Sequence, residues 1–291
     1  MDMTTESSNK IFILGVGGQK CGTTWLYHYL SSFAHVNMGF RKEYHIWDRK
    51  HSCLNFNQKH LWQLRRIRDF KQYLMTRVPG YYENYFSGLM KNGINTTGDI
   101  TPSYAGLTAE AYTTIKQRLE AKGFEVKVVF LMRDPVQRCW SAQRMNARRN
   151  KRFKSLNMSD AELNAEFRKR IYNAGFVGRT RYENTIRNLE QVFKPDALYF
   201  GIYETMHEQE NLEKLSAFCG VSVKAEFSEK VINRSPGRRL TVENTNACFE
   251  QFNSTYSYCY NRFPETQTHW QTRVLVESPS SDIEPKILQC C

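Results

Sequence analysis

At 291 residues, with 41% of them hydrophobic and eighteen phenylalanines, the chain carries ample apolar material for one large α/β domain. No apolar run approaches the ~18 residues a membrane-spanning helix needs. A net charge of +12 points either to anionic ligands or to a solvated basic surface. In chain order, Met1 to Lys10 is polar, and the apolar stretch after it is too short for a signal-peptide core. This predicts a cytoplasmic protein, with a trimmed luminal domain as the alternative. Ile11 to Leu14 then reads as a buried strand. Gly15, Gly17, Gly18 and Gly22 form a turn, and a helix runs from Thr23 to Ser32. Such a turn presents backbone N–H groups at a helix N-terminus, where the dipole favours an anion. A nucleoside-triphosphate loop carries its lysine directly after the last glycine. Here Thr23 follows Gly22 and Lys20 stands two residues before it. The loop reads as a phosphate cradle, but not one for the β- and γ-phosphates of ATP.

Further strands are predicted at Val36 to Phe40, Ile94 to Gly98, Val126 to Met132 and Ala197 to Ile202. Helices are predicted at Leu61 to Thr76, Ala109 to Lys122, Pro135 to Asn150, Asp160 to Tyr172, Tyr182 to Phe193, Asn211 to Cys219 and Val242 to Tyr260. Leu64, Ile67, Phe70 and Leu74 would give the second of all these helices its apolar side. Strands alternating with helices imply a P-loop-like α/β fold, a parallel sheet with helices on both faces. It would be a single domain over residues 1–270, followed by a polar tail over 271–291. The Val126 to Met132 strand ends in Arg133-Asp134-Pro135, with Arg138 and Ser141 three apart on the next helix. Asp134 is a natural N-cap and Pro135 a natural first helical residue. Ligands of open α/β sheets bind at the carboxyl ends of strands, so Arg133 and Ser141 read as a clamp for a second phosphate.

At these residues the chain resembles a family. Gln19 to Leu26, Q-K-C-G-T-T-W-L, is similar to the 5′-phosphosulfate loop of sulfotransferases that use 3′-phosphoadenosine 5′-phosphosulfate. Arg133 to Ser141, R-D-P-V-Q-R-C-W-S, is similar to their 3′-phosphate motif. Glu43 to Asp48 resembles the E-x-H-F-F-D element of the carbohydrate-acting branch, and Gly98 to Tyr104 resembles its E-K-T-P-S-Y. A Gly178 to Tyr182 helix start, a Tyr203-Glu204 strand end and an Asn233 to Arg239 loop extend the likeness. The motifs lie in the family's order from Ile11 to about Met145. The resemblance implies a sulfate donor, its product 3′-phosphoadenosine 5′-phosphate (PAP), and an acceptor that is a glycan or another small molecule.

Sulfuryl transfer needs stabilisation of charge on the leaving phosphate, a base for the acceptor proton, and alignment of both ends. The resemblance gives the first task to Lys20 with the N–H groups of Gly22, Thr23 and Thr24, beside Cys21. Trp25 would either stack on a base or pack under the loop. Arg133, Ser141, Tyr182 and either Arg238 or Arg239 would hold the rest of the donor. Glu43 or His45 is the base; two apart on an extended segment, they face one side. Asp48 would orient His45 or meet the acceptor, and Tyr104 would lie on the acceptor side. The family's glycan branch has lysine where this chain has Ile100, and its cysteine-flanked K-G-R loop is missing, Ser235 to Arg239 standing in its place.

The eight cysteines show no metal-ligand spacing, so no metal is expected. Four N-x-[ST] sequons, at Asn95, Asn157, Asn233 and Asn253, fall partly in a strand border and a cofactor loop, which leans against a secretory compartment. Basic clusters at 65–71, 148–154 and 168–170 come without any nucleic-acid motif, so no nucleic-acid partner is expected. Two other readings remain at this stage: a P-loop nucleotide kinase, and a nucleotide- or glycan-binding protein without catalysis.

Overall fold

The computed structural model describes residues 10–51, 66–149, 158–228, 237–270 and 272. Five strands form one sheet in the order β2-β3-β1-β4-β5: β1 is Lys10–Gly17, β2 Val36–Asn37, β3 Thr96–Ile100, β4 Phe124–Met132 and β5 Leu198–Ile202. Every adjacent pair is parallel. All carboxyl ends therefore lie on one edge. The chain runs from β1 outward to one side of the sheet and returns past β1 to β4, which puts the switch point between β1 and β4, where α/β sheets bind ligands.

Side chains alternate between the two faces, as strand pleating dictates. Phe12, Leu14, Val16, Val128, Phe130 and Met132 enter one buried cluster. Ile13, Val129 and Leu131 enter the other, with Trp25, Leu26 and Leu30 of α1 (Thr23–Leu30). Helices on both faces close the core, as expected from the alternating pattern.

Several elements differ from expectation for physical reasons. β2 stops after Asn37, where Gly39 takes a left-handed φ of 72°. β3 begins two residues later than predicted, at Thr96, and runs two residues further, to Ile100, which pairs with Gly15. Its polar side chains sit in the middle of the sheet, so hydrophobicity gave a poor guide to its limits. A short helix, α2 (Trp47–Lys50), precedes α3 (Ile67–Arg77) and α4 (Tyr81–Leu89). On α3 the predicted apolar side faces outward: Ile67 is 80% and Phe70 48% exposed, while Gln72 and Met75 are buried. Polar contacts turn this helix. Gln72 Nε2 donates to the Tyr44 carbonyl and Asp69 pairs with Arg41 at 2.6 Å.

The helices α5 (Ala109–Glu120), α6 (Pro135–Arg149), α7 (Asp160–Arg170), α9 (Tyr182–Glu190) and α10 (Gln209–Cys219) lie where the sequence placed them, with α8 (Ala174–Gly178) unforeseen. The predicted helix from Val242 to Tyr260 is two, α11 (Val242–Gln251) and α12 (Asn253–Arg262), broken at Phe252. The short α13 (Glu265–His269) leads to Trp270 and Thr272, both buried. Positions 61–65 with Leu64, Asn157, loop residues Asn233 to Pro236, Gln271, and the tail from 273 with Cys290 and Cys291 lie outside the described residues. Among those described, no helix is long and apolar enough to cross a membrane.

Candidate active site

The loop after β1 delivers its helix with an open first turn. Gly22 is the N-cap of α1 at φ 89°, and no side chain caps the turn. A Cβ at Gly22 would lie 2.6 Å from Met206 Sδ, in a backbone region side chains already avoid. Glycine is thus required both for the turn and for its packing. The first intrahelical bond is Leu26 N–H to the Gly22 carbonyl, which leaves the amides of Thr23, Thr24 and Trp25 directed at the loop's mouth. The Cys21 thiol points inward instead. Burial pushes it up to about 12, outweighing the Arg138 charge and the Tyr182 hydroxyl, so it is a neutral thiol and not a nucleophile.

β4 runs beside β1, so Arg133 emerges next to this loop. Its guanidinium lies 3.5 Å from the Lys20 carbonyl and 4.3 Å over the Tyr203 ring. Tyr182 donates to the Arg133 carbonyl at 2.8 Å and sits 3.7 Å from Cys21 Sγ, tying the two phosphate motifs together. Glu204 stands 3.9 Å from Arg133 Nε and accepts from Trp270 and the Asp134 amide. Burial pushes this carboxyl up to about 7, against the pull of Arg133. Arg133 Nε has no hydrogen-bond partner among the described residues. Ser141 follows on α6, nearly buried. Arg138 is internal, bonded to Thr180 and the Phe176 carbonyl.

The segment before α2 brings the candidate base to the loop. Lys42 Nζ lies 3.3 Å from Thr23 Oγ1, 3.0 Å from Thr24 Oγ1 and 2.8 Å from Glu43 Oε1. Glu43 Oε2 is 3.3 Å from His45 Nε2, and His45 Nδ1 is 2.6 Å from Asp48 Oδ2. Burial alone would push Glu43 up; His45 and Lys42 outweigh it and hold the carboxyl at about 2. Burial likewise pushes His45 down, but Asp48 and Glu43 hold it up at about 9. At neutral pH, then, the imidazole is a cation between two carboxylates, with both nitrogens engaged.

Beneath this segment lies a polar girder. Asp99, on β3, accepts from Thr101, Tyr104 and Tyr82 at 2.6, 2.7 and 3.0 Å. Thr101 Oγ1 accepts from the Tyr44 amide, and the Tyr104 hydroxyl accepts from the Ile46 amide. Burial raises Asp99 to about 6 in spite of these bonds. His45 is held at φ 54°, a region costly for a non-glycine residue, by this network.

Burial bears on three of the expected contacts. Tyr104 is fully buried; it supports the segment and has no surface for an acceptor. Asp48 is also fully buried, with Ser103 and the Arg49 amide on its oxygens, so it orients His45. Trp25 is 3% exposed, stacks on Tyr29 and donates to the Phe227 carbonyl, so it packs under the loop. Ile100 faces the core against Gly15, where a lysine would not fit. Arg238 pairs with Asp160 at 2.7 Å, and its carbonyl accepts from Trp140, Ser141's neighbour; Arg239 is exposed. Asp99 and Thr101 entered the sequence reading only as members of the Gly98 to Tyr104 motif, with no role assigned, and Lys42 only as a surface partner for Glu43; the structure shows that pair at 2.8 Å.

The His45 cation has a stability consequence. Its folded pKa of about 9 lies above the ordinary ~6.5, so its contribution is complete below pH 6.5 and is lost as pH rises through 9. The melting temperature is expected to fall over that range, and His45→Gln to remove part of the fall. Calorimetric scans at pH 6, 7.5 and 9 check this; an unchanged alkaline slope in the variant would rule out the charged imidazole.

A family model described as a sulfotransferase domain matches residues 8–238. No curated protein matches the sequence. Among solved structures, the chain is similar to a sulfotransferase from Alicyclobacillus acidocaldarius at 17% identity, over 90% of this chain and 98% of that one, with a TM-score of 0.54. That likeness shows the fold. A mouse sulfotransferase complexed with PAP, at 15% identity over 93% of this chain and 89% of that one, has a TM-score of 0.46, too low to carry an argument. With a family model spanning the phosphate loop, the Arg133 motif and the Glu43 segment, the chain belongs to the sulfotransferase domain family and is an enzyme of sulfuryl transfer.

Proposed function

We propose that the chain moves a sulfuryl group from 3′-phosphoadenosine 5′-phosphosulfate to a hydroxyl or amine of a carbohydrate or other small-molecule acceptor, with Glu43 as base. One observation carries this reading: a single ammonium, Lys42, contacts both hydroxyls of the phosphate loop and the Glu43 carboxylate, so the base stands at the mouth of the anion site. The donor's two phosphates fit the residues present. The uncapped first turn of α1 offers amides to one, and the Arg133 guanidinium, beside the loop at the end of β4, offers donors to the other.

When bound, the donor supplies the sulfuryl group and a phosphate leaving group. Lys20 and the amides of Gly22, Thr23 and Thr24 hold that phosphate and stabilise charge growing on it. Arg133 and Ser141 hold the 3′-phosphate, Tyr182 braces Arg133, and Arg238 or Arg239 borders the same region. Glu43 takes the acceptor's proton. His45, fixed by Asp48, holds the Glu43 carboxylate in place. These residues all precede position 270, which supports residues 1–270 as one catalytic unit.

Calorimetry with PAP in metal-free buffer, against ATP–magnesium, tests the donor: binding of PAP alone is expected, and preference for ATP–magnesium would overturn it. Arg133→Ala is expected to weaken PAP binding by about 1.5–3 kcal/mol, the range for charge-assisted hydrogen bonds. Unchanged affinity would remove Arg133 from the site. Transfer of labelled sulfate onto a panel of glycans, lipids and phenols identifies the acceptor.

A further inference from the structure

Lys42 is placed where a spectator lysine would not be. Its ammonium has three protons, and all three have partners: Thr23 Oγ1, Thr24 Oγ1 and Glu43 Oε1. Its side chain is 19% exposed and the Glu43 side chain 37%, so the pair stands at the rim, open to an incoming anion. The two threonines begin α1, the turn that receives the donor's phosphosulfate end.

The arrangement has a chemical flaw as it stands. A carboxylate clamped by Lys42 on one oxygen and by the His45 cation on the other is a poor base. Its lone pairs are engaged and its proton affinity is low. Something must loosen the clamp before Glu43 accepts a proton. His45 is locked to Asp48, whereas Lys42 is tethered only by hydroxyls and by Glu43. Sulfonate oxygens arriving beside Thr23 and Thr24 would compete for the Lys42 protons at the place where the ammonium already sits.

We propose that Lys42 is a second catalytic lysine: it holds Glu43 in check in the free enzyme and, when the donor binds, turns from Glu43 to the sulfuryl oxygens. The exchange moves hydrogen bonds only, and Lys42 stays an ammonium throughout. On the donor it offsets charge on the transferring group; on Glu43 its departure frees one oxygen and raises basicity, the His45 contact staying in place. Base activation is thereby coupled to donor occupancy, and the acceptor is not deprotonated before a sulfuryl group is present. This inference rests on the reading of the donor given above.

The test compares Lys42→Met, which keeps length and removes charge, with Lys42→Arg, which keeps charge. PAP ends in a phosphate and the full donor in a sulfonate, so a lysine that touches the sulfuryl group discriminates between them. Calorimetry on the metal-free enzyme is expected to give Lys42→Met unchanged PAP affinity and about tenfold weaker affinity for the donor. Turnover should fall about 10²-fold, and Lys42→Arg should recover part of both. Carboxyl 13C shifts supply a further readout, with Glu43 assigned through Glu43→Gln. Three groups act on Glu43 here: Lys42, His45 and, through His45, Asp48. In the free wild-type enzyme the Glu43 signal is expected to stay flat from pH 4 to 7. In Lys42→Met it should move up towards the ordinary carboxylate range of ~4.3. Equal loss of PAP and donor affinity, turnover within threefold of wild type, or an unmoved Glu43 signal would each overturn the assignment. Failure of the wild-type enzyme to bind either nucleotide would overturn the donor reading itself.

Discussion

Glu43→Gln is expected to leave PAP binding nearly intact and to lower turnover by about 10²–10⁴-fold, the usual cost of losing a general base. The carboxamide keeps the shape and can still accept from Lys42 on one side, so the loop should stay in place. What it loses is the basic oxygen. The competing assignment, His45, is disfavoured by its surroundings. Both ring nitrogens face carboxylates, at 2.6 Å and 3.3 Å, and the ring holds its proton up to about pH 9. A protonated imidazole has no lone pair with which to take a proton. His45→Ala should therefore cost less than Glu43→Gln, and its loss should come from misplacement of Glu43. A dead His45→Ala beside an active Glu43→Gln would reverse the roles and reopen the choice of acceptor.

Lys20→Ala is expected to lower turnover by about 10²–10³-fold, as removal of one preorganised donor at a developing charge does. Charge on the leaving phosphate is larger in the transition state than in the ground state. A group aimed at it therefore acts more on turnover than on binding. Two features place Lys20 for this. The loop turns through a left-handed φ of 72° at Lys20, and the Lys20 carbonyl contacts Arg133. The backbone at Lys20 is thus held by the Arg133 motif. Steady-state kinetics with varied donor separates the outcomes. A variant that raises only the donor's KM would show that Lys20 binds without catalysing.

Much of the scaffold could be read before any coordinates. Ile11 to Leu14 and Val126 to Met132 are runs of residues buried on both faces, a composition with few outcomes other than a central parallel strand. The glycines of the first loop and the Asp134-Pro135 helix start are local signals with local causes, and both phosphate motifs follow from them. β3 was the exception. Its Thr96 and Thr97 are buried by pairing on both edges, and Asp99 by β1 on one edge and the hydroxyls of Thr101, Tyr104 and Tyr82, a burial that hydrophobic patterning does not encode. α3 misled for the same reason: its orientation is set by Gln72 and Asp69 reaching residues far away in sequence, against the pull of its apolar side chains.

The division is sharper at the site. The sequence by itself supplied a glycine-rich loop and a strand-end arginine suited to anions, and the resemblance to a family singled out Lys20, Arg133 and either Glu43 or His45 as candidates. Only the tertiary structure decided how their side chains are paired and which of them are buried. It buried Tyr104, Asp48 and Trp25, made His45 a cation by setting it between two carboxylates, and joined Glu43 to the phosphate loop through Lys42. The groups that charge Glu43 and His45 are near in sequence, at Lys42, Glu43 and Asp48, but the fold fixes their geometry. Asp99 and Thr101 brace the segment from β3 and the residues just after it, and Thr23 and Thr24 of α1 receive Lys42.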